Sequence, residues 1–302
     1  MADSISPDEL EEVRRLVKLG LPPVASRFVL AAIFGINPGL VWSFESRTHR
    51  HYRRFSLPKG NNRRWIDAPR VGLKIVQKWL SVQFQKCYSP PEHVYGFVAS
   101  RSHVQAAAKH CGAKWIFSVD IKDFFQSTTK AVVISSLETM GYGSDSARLL
   151  ASLCCLRGML VQGAPSSPVL SNICFQSLDK QLAEIAHRYE VRLTRYADDI
   201  VFSGTGLFLE TLREEVVSLF NGEPWHLAEQ KTHFSKYPNR LKVHGLLVHG
   251  EYVRLTKGYR NRLRAFRHLL ASGKINNADI SKIKGHLIYG SFIDRENPIK
   301  AI

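Results

Sequence analysis

The amino-acid sequence predicts an α+β fold in which helices cover one face of a mostly antiparallel sheet. This prediction depends on the order of the segments, because a strand, two helical stretches, another strand and a hairpin follow one another between residues 114 and 204. It also depends on composition: 302 residues, 44% of them hydrophobic, supply enough apolar surface for a packed core. That length suits one large domain or two to three small ones.

The first predicted element is a helix in SPDELEEVRRLVKLG. Ser6 is a suitable N-cap, Pro7 suits the first turn, and Glu9 completes a capping box. Gly20 and the prolines after it end the helix. The predicted apolar face consists of Leu10, Val13 and Val17.

A hairpin and a longer helix come next. In YRRFSLPKGNNRRWIDAPR, apolar residues alternate on both sides of a turn at residues 60–62, and the hairpin carries Lys59, Arg63 and Arg64. The stretch VGLKIVQKWLSVQFQ then predicts a helix, because its apolar residues recur at helical spacing. These residues are Leu73, Val76, Leu80 and Phe84.

The central segments place acidic residues at the ends of predicted strands. KWIFSVDIKDFFQS is an apolar strand that ends at Asp120, and RYADDIVFSG is a hairpin with Asp198 and Asp199 at its turn. Between them, Gly163, Pro165 and Pro168 predict a loop, after which one helix is expected. The apolar face of that helix consists of Leu170, Ile173, Leu178, Leu182 and Ile185.

After Gly204 the sequence predicts a helix over residues 207–220, two strands in RLKVHGLLV and EYVRLT, and a helix in KGYRNRLRAFRHLL. This last helix has one apolar stripe and a second stripe formed by Arg260, Arg264 and Arg267. No Asp or Glu occurs from Lys257 through Lys274 to pair with these arginines. They are either phosphate contacts or an ordinary solvated helix face, and the missing acidic partners favour phosphate.

The charge balance indicates a polyanionic partner. With 42 Lys and Arg against 26 Asp and Glu, the formal net charge is +16, which favours nucleic acid over a membrane surface. No apolar span is long enough to cross a bilayer, and the acidic start excludes a signal peptide. The five cysteines are odd in number and lack CxxC spacing, which indicates neither a disulfide framework nor a zinc site and favours the cytoplasm.

The paired aspartates, together with Asp120, predict a metal site. Hard carboxylate oxygens suit Mg²⁺, and two such ions can activate an attacking hydroxyl and stabilise a leaving oxygen in phosphoryl transfer. A polar turn is the alternative, because Asp is a common turn residue. Asp120 alone is equally compatible with a strand end or a helix cap.

Several motifs in order resemble those of the reverse transcriptases, and more closely the bacterial retron branch. SVDIKDFFQS, QGAPSSPVLSN and YADD are similar to the segments that carry the first catalytic aspartate, the nucleotide contact and the aspartate pair. HLAEQKTHF resembles the next palm segment, LPKGNNRRWIDAP the fingers, and VYGFVASRSHVQAAAKH the extra segment of retron enzymes. The resemblance implies a right-hand polymerase with fingers at residues 1–112, a palm at 113–253 and a helical thumb at 254–302.

The resemblance also implies roles for individual residues. Asp120, Asp198 and Asp199 are the expected catalytic residues, and together with Ile121 they are expected to bind two Mg²⁺ ions. The residues expected to contact the nucleotide are Lys59, Arg63, Arg64, Phe125, Gln162 and Lys231, with Phe125 packing where a sugar 2′-hydroxyl would lie. His110 and His244 are interpreted as RNA contacts or satisfied polar residues, beside Arg260, Arg264 and Arg267 on RNA or DNA.

The partners implied are a structured non-coding RNA that is both template and primer, its RNA-linked DNA product, deoxynucleotides, a separately encoded anti-phage effector, host RNase H, and no membrane. Two departures concern RNA recognition: Ala106 replaces the asparagine of Asn-Ala-x-x-His, and His244 replaces the threonine of Val-Thr-Gly. The alternatives are a group II intron or diversity-generating enzyme, a non-catalytic RNA-binding scaffold, and a membrane-surface protein.

Overall fold

The computed structural model describes residues 5–60, 62–273 and 276–295. Asn61 in the predicted hairpin turn and Lys274 lie outside the described residues, as does the side chain of Lys59. The chain forms two compact units, each built from several stretches. One comprises the residues up to Pro91 with Ile121–Gln181 and Leu219–Leu227, and the other comprises Glu92–Asp120, Leu182–Ser218 and the residues from Ala228 onward. Neither coincides with a predicted segment, and the fingers, palm and thumb boundaries stay a prediction.

Helices make up about half of the described chain. They are α1 (Pro7–Lys18), α2 (Arg27–Phe34), α3 (Pro38–Ser46), α4 (Val71–Cys87), α5 (His103–Ala108), α6 (Phe124–Ser127), α7 (Lys130–Met140), α8 (Ser144–Cys154), α9 (Ser167–Cys174), α10 (Gln176–Arg188), α11 (Glu210–Ser218), α12 (Lys257–Ala271) and α13 (Asn277–Arg295). Short 3₁₀ turns occupy Thr48–His51 and Glu229–Lys231. No helix in the described ranges has both the length and the apolar character needed to cross a bilayer.

The strands form three antiparallel sheets. They are β1 (Tyr52–Lys59), β2 (Asn62–Pro69), β3 (Trp115–Asp120), β4 (Arg192–Tyr196), β5 (Asp199–Gly204), β6 (His233–Lys236), β7 (Lys242–Val243), β8 (Leu246–Leu247) and β9 (Arg254–Leu255). β1 and β2 form a hairpin, β4-β5-β3-β6 form the central sheet, and β7-β8-β9 form a small sheet. The antiparallel sheet and the α+β class agree with the prediction.

The first unit is held by the helix signals that the sequence contains. The capping box of α1 is present, with the Ser6 N–H donating to Glu9 Oε2 at 2.7 Å and the Glu9 N–H donating to Ser6 Oγ at 3.2 Å. The four apolar residues predicted for α4 are all at most 1% exposed. The face predicted for α1 is wrong, because Leu16 is buried while Leu10 and Val17 are exposed. The Glu12 carboxylate fixes this orientation by accepting from the Gly143 N–H, at the start of α8, at 3.1 Å.

Two other segments, each predicted as a single element, form two elements in the structure. The helix expected over residues 170–185 is interrupted at Phe175 into α9 and α10, although its five apolar residues are all buried. The strand expected in RLKVHGLLV is a hairpin, β7 and β8, with a two-residue turn at His244 and Gly245. Both turn residues have positive φ, +48° and +81°, which permits the tight reversal.

The core of the second unit lies between the central sheet, the small sheet and the two C-terminal helices. Its buried members include Ile116 and Val201 from the central sheet, Leu246 from the small sheet, Leu263 from α12 and Ile293 from α13. The small sheet and α12 are therefore fixed to the same apolar cluster as the strands that carry the aspartates. All five cysteines are free thiols, in agreement with the predicted absence of disulfides.

Candidate active site

The three aspartates predicted to act together meet at one end of the central sheet. β3 and β5 pair antiparallel with Asp120 directly opposite Asp199, and β4 pairs with β5 so that Tyr196 is opposite Asp199. The turn of the hairpin is therefore Ala197–Asp198, one residue earlier than the predicted Asp198–Asp199 turn. Ala197 has φ +57°, a left-handed conformation that tightens the turn. Asp198 thus projects from the turn while Asp199 begins the strand.

Lys231 supplies the positive charge at this cluster. The Ala228 N–H donates to the carbonyl oxygen of Asp120 at 2.8 Å, and the 3₁₀ turn Glu229–Lys231 follows directly. This places Lys231 Nζ 2.5 Å from Asp120 Oδ1. Like charges opposite each other on neighbouring strands repel, so the ammonium group offsets part of the repulsion between Asp120 and Asp199.

The negative charges of the cluster outnumber the single positive charge of Lys231. Burial raises the pKa of Asp120 above its usual range, the Lys231 ammonium lowers it in part, and Asp199 raises it again. Burial also raises the pKa of Asp198, with further increases from Asp199 and Asp120. The hydrogen bond to Asp120 raises the pKa of Lys231, which therefore stays charged. Three carboxylates with one ammonium favour a further cation.

The donor set fits a divalent cation in its chemistry. Aspartate oxygens are the hard ligands that Mg²⁺ prefers, and Lys231 is the protein's own cation on one of them. Within residues 5–60, 62–273 and 276–295, however, no three His, Cys, Asp or Glu side chains already surround one point. Ile121, also predicted for the metal, has a buried aliphatic side chain without a ligand atom, so a metal contact would have to use its backbone carbonyl oxygen and stays a prediction.

The Ala197–Asp198 turn is supported by a segment whose role the sequence did not reveal. Val94 forms a parallel bridge with Arg195, and a Cβ atom on Gly96 would overlap the Ala197 nitrogen and lie 2.8 Å from the Tyr196 carbonyl carbon. The Arg195 guanidinium donates to the Ala197 carbonyl at 3.0 Å from a fully buried position. Only the glycine in VYGF hinted at this close approach.

The position of His110 favours a satisfied polar residue over the predicted RNA contact. Its side chain is 0% exposed, and its Nδ1 and Nε2 atoms each lie 2.7 Å from a hydroxyl, of Ser203 on β5 and Thr194 on β4 respectively. Burial, with smaller effects from His244 and Arg192, lowers the pKa of His110 to about 3. The imidazole is therefore neutral and joins the two strands of the catalytic hairpin. It is the satisfied polar residue that the sequence left open.

His244 contacts Asp199 instead of facing outward. Its side chain is only 8% exposed, its Nδ1 lies 3.5 Å from Asp199 Oδ2, and its ring packs 5.3 Å from that of Tyr196. The prediction of an RNA contact is therefore not supported by its position. No sequence pattern predicted this contact, because Asp199 and His244 are 45 positions apart and the turn that contains His244 was predicted as a continuous strand.

The cations of the β1–β2 hairpin lie on opposite faces. Arg63 and Arg64 are neighbours in β2, so their side chains point to opposite sides. The Arg63 Nε–H donates to Ser56 Oγ at 2.7 Å, which fixes its side. A ligand bound on one face of the hairpin would therefore contact Arg63 or Arg64, but not both. The side chain of Lys59 lies outside the described residues.

The Gln162 loop packs against the same hairpin. The Asp67 N–H donates to the Gln162 carbonyl at 3.0 Å, and a Cβ on Gly163, at φ +117°, would lie 2.7 Å from Ile66 Cγ2. The glycine is thus required by contact with β2. Phe125 is half-buried while Phe124 beside it is 5% exposed, so Phe124 belongs to the core and Phe125 keeps an accessible edge. Nucleotide contact by Gln162 and Phe125 stays a prediction.

The arginine stripe is exposed as predicted. Arg260, Arg264 and Arg267 are all exposed on α12, whose single buried residue is Leu263. In the described part of α12 and the turn after it, no acidic side chain lies beside them in sequence. The stripe is accessible to a polyanion.

Comparison with known proteins identifies the family of this chain. Residues 57–248 match the family described as reverse transcriptase (RNA-dependent DNA polymerase). A telomerase structure from Candida albicans has a similar fold, with a TM-score of 0.50 and 10% identity over 76% of this chain and 55% of that chain. This likeness concerns the fold alone, and the chain spans about half of that telomerase. The chain belongs to the reverse transcriptases and has their fold.

Its relatives define the branch more closely. The retron Mx65 reverse transcriptase of Myxococcus xanthus is 32% identical over 96% of this chain and 73% of its own length. The retron Ec86 reverse transcriptase of Escherichia coli is 28% identical over 94% of this chain and 89% of its own. Within the family, the chain belongs to the retron reverse transcriptases, which are RNA-directed DNA polymerases. This confirms the predicted family and disfavours the intron and diversity-generating alternatives.

Proposed function

We propose that Asp120, Asp198 and Asp199 are the catalytic residues and that they hold two Mg²⁺ ions. The observation that carries the proposal is the register that sets Asp120 opposite Asp199, with Asp198 in the adjoining turn and Lys231 2.5 Å from Asp120. When bound, the ions would supply activation of a primer hydroxyl and stabilisation of the leaving pyrophosphate. Reverse transcriptases as a family use divalent metal ions, which agrees with this assignment.

The protein's own residues position the reactants. In the proposed reaction a primer 3′-hydroxyl, or at priming an RNA 2′-hydroxyl, attacks the α-phosphate of a deoxynucleotide and pyrophosphate leaves. The buried sheet holds the three carboxylates in fixed relative positions, which avoids reorganisation at the moment of reaction. Lys231 keeps a positive charge where the triphosphate is expected, and Phe125, Gln162, Arg64 or Arg63, and Lys59 are proposed nucleotide contacts.

Primer extension tests the catalytic assignment. Incorporation of deoxynucleotides on primed RNA is measured with and without Mg²⁺ for the parent, for Asp198→Asn, and for Asp145→Asn as an exposed control. Loss of incorporation in Asp198→Asn and on removal of Mg²⁺ supports the proposal, with Asp145→Asn expected to match the parent. If Asp198→Asn incorporates as well as the parent, the assignment is wrong.

We further propose that the template is a dedicated structured RNA, which also primes synthesis, and that the product is a short multicopy DNA joined to it. The net charge of +16 and the exposed arginines of α12 support an RNA partner. A role in anti-phage defence with a separate effector, and removal of template by host RNase H, come from the family resemblance. The five free cysteines support a cytoplasmic location.

Sequencing of the nucleic acid that co-purifies with the protein tests the RNA partner. One abundant structured RNA, linked at an internal nucleotide to DNA copied from it, is the expected result. A heterogeneous set of cellular RNAs with no linked DNA would contradict the proposal. Because the Asp198→Asn protein should still bind the RNA but carry no DNA, it provides the matched control.

A further inference from the structure

We propose that His244 is a positioning residue that orients the Asp199 carboxylate and thereby prepares the site for a divalent cation. This inference rests on the proposed function, because it concerns the same aspartates. His244 replaces the threonine of the Val-Thr-Gly motif, so the contact depends on a residue in which this chain departs from that motif.

The first observation is the contact itself. His244 Nδ1 lies 3.5 Å from Asp199 Oδ2, at the long end for a hydrogen bond, and Asp199 is half exposed. This is the one polar contact of the His244 side chain in the described part of the chain, and its Nε2 atom is buried without a hydrogen-bond partner there. A buried ring nitrogen without a partner is unfavourable, so the ring's placement is not explained by its own hydrogen bonding.

The second observation is the backbone conformation. His244 has φ +48° in a two-residue turn whose other member is Gly245 at φ +81°. Glycine and asparagine are the residues that suit such a turn best, and histidine is a less common choice at positive φ. The turn therefore does not explain the choice of histidine.

The third observation is the packing on the other side of the ring. The His244 ring lies 5.3 Å from the Tyr196 ring, and Tyr196 is the residue paired with Asp199 across the catalytic hairpin. Val243 and Leu246, on either side of the turn, are 2% and 1% exposed in the core of the unit. The small sheet thus holds the imidazole against both strands of the catalytic hairpin.

Two substitutions separate the contact from the turn. His244→Gly removes the imidazole and suits the left-handed backbone, whereas His244→Asn also suits that backbone and keeps an N–H donor near the Nδ1 position. Both remove the same ring packing, so a purely structural role predicts similar behaviour. A positioning role predicts that asparagine rescues what glycine loses.

Mn²⁺ binding to the full-length protein alone, followed by electron paramagnetic resonance, is the first measurement. Substitution of a residue that orients a metal ligand typically lowers affinity or activity by about 10-fold to 100-fold. We therefore expect His244→Gly to weaken Mn²⁺ binding about 10-fold. Primer extension is the second measurement, with a similar fall in kcat and little change in the deoxynucleotide KM. His244→Asn is expected to stay within about 3-fold of the parent in both.

Parental Mn²⁺ affinity and kcat in His244→Gly would overturn the inference, and so would equal losses in the two variants. Asp199→Asn distinguishes this failure from failure of the proposed function. If Asp199→Asn loses Mn²⁺ binding and extension while His244→Gly loses neither, only the present inference fails. If Asp199→Asn itself keeps both, the assignment of Asp199 and hence the proposed function fails.

Discussion

At the scale of single residues, His110 links two neighbouring strands through hydrogen bonds. Its two nitrogens each bond a hydroxyl on one strand of the catalytic hairpin, which leaves no donor or acceptor for RNA. A histidine that the sequence leaves open between a binding and a structural role can thus be explained by the geometry of the hairpin it joins.

Replacing His110 should lower stability in a pH-dependent way. His110→Ala leaves two buried hydroxyls without a partner, so we expect the free energy of unfolding at pH 8 to fall by about 2–4 kcal/mol. The folded pKa of His110 is about 3 against 6.5 for a free imidazole. The parent therefore loses this residue's contribution to stability as the pH falls below 6.5, and the variant has no such loss.

Urea unfolding at several pH values between 8 and 5 measures both effects, and His268→Ala on the exposed side of α12 is the control. The difference between parent and His110→Ala should shrink as the pH falls. A difference that is the same at every pH would contradict the buried neutral state.

Ionised Asp198 should lower the stability of the folded protein, although catalysis is proposed to need its carboxylate. Burial and the charges of Asp199 and Asp120 raise the pKa of Asp198, so its ionised form is unfavourable in the folded protein. Its favourable contribution is present below the unfolded pKa of 3.8 and is lost as the pH rises through the raised value. Asp198→Asn should therefore raise Tm at pH 8 by about 2–4 °C, equivalent to about 1 kcal/mol.

Scanning calorimetry without added divalent ions checks this prediction, because a bound cation would offset the repulsion. The gain should narrow as the pH is lowered toward 5, while Asp145→Asn should leave Tm unchanged. A lower Tm for Asp198→Asn at pH 8 would show that the carboxylate stabilises the turn.

At the scale of elements, the β4–β5 hairpin that carries Asp198 and Asp199 is held from two sides. The segment around Gly96 lies against Ala197, and the small sheet brings His244 to Asp199 and Tyr196. β4 and β5 alone would be a hairpin of marginal stability. Its shape depends on β3, on the bridge at Val94 and on His110, so the position of the aspartates is a property of the whole sheet.

Gly96→Ala should displace the catalytic turn. Its Cβ would overlap the Ala197 nitrogen, and since backbone cannot move aside cheaply, the turn must shift. A misplacement of about 1 Å can reduce the rate about 100-fold, so we expect a loss of this size in kcat with about 1–3 kcal/mol of lost stability.

Primer extension and thermal unfolding measure both effects, and Gly206→Ala is the control because Gly206 has open space around its Cβ position. Gly206→Ala should change neither rate nor stability. If Gly96→Ala retains parental kcat, the segment does not set the position of the turn.

At the scale of the whole molecule, the net charge of +16 should govern RNA binding. Arg260, Arg264 and Arg267 on α12 form an exposed basic group without acidic neighbours in sequence. Arg260, Arg264 and Arg267 changed together to Gln should weaken RNA binding and reduce the slope of log K against log salt by about 2, as expected for three lost phosphate contacts.

The control variant removes the same three charges at exposed positions elsewhere, Arg14, Arg27 and Arg148. Filter binding of the co-purified RNA across a salt series gives both slopes. Equal slopes for the two triple variants would show that net charge, and not the α12 stripe, determines binding.

The family and most local elements could be predicted from the sequence alone. Capping residues, alternation and helical spacing act over a few positions, which is why the bounds of α1, α4, β3 and the β1–β2 hairpin were predicted correctly. The retron reverse transcriptase family was recognised because several motifs stand in the family's order along one chain.

Tertiary structure decided which residues meet. Asp120 and Asp199 are 79 positions apart, and only strand register sets them opposite each other. The burial of His110, the contact of His244 with Asp199 and the fit of Gly96 against Ala197 likewise depend on packing between distant segments. Periodicity in a sequence reports which face of an element is apolar, whereas the partner of a polar side chain depends on how those faces come together.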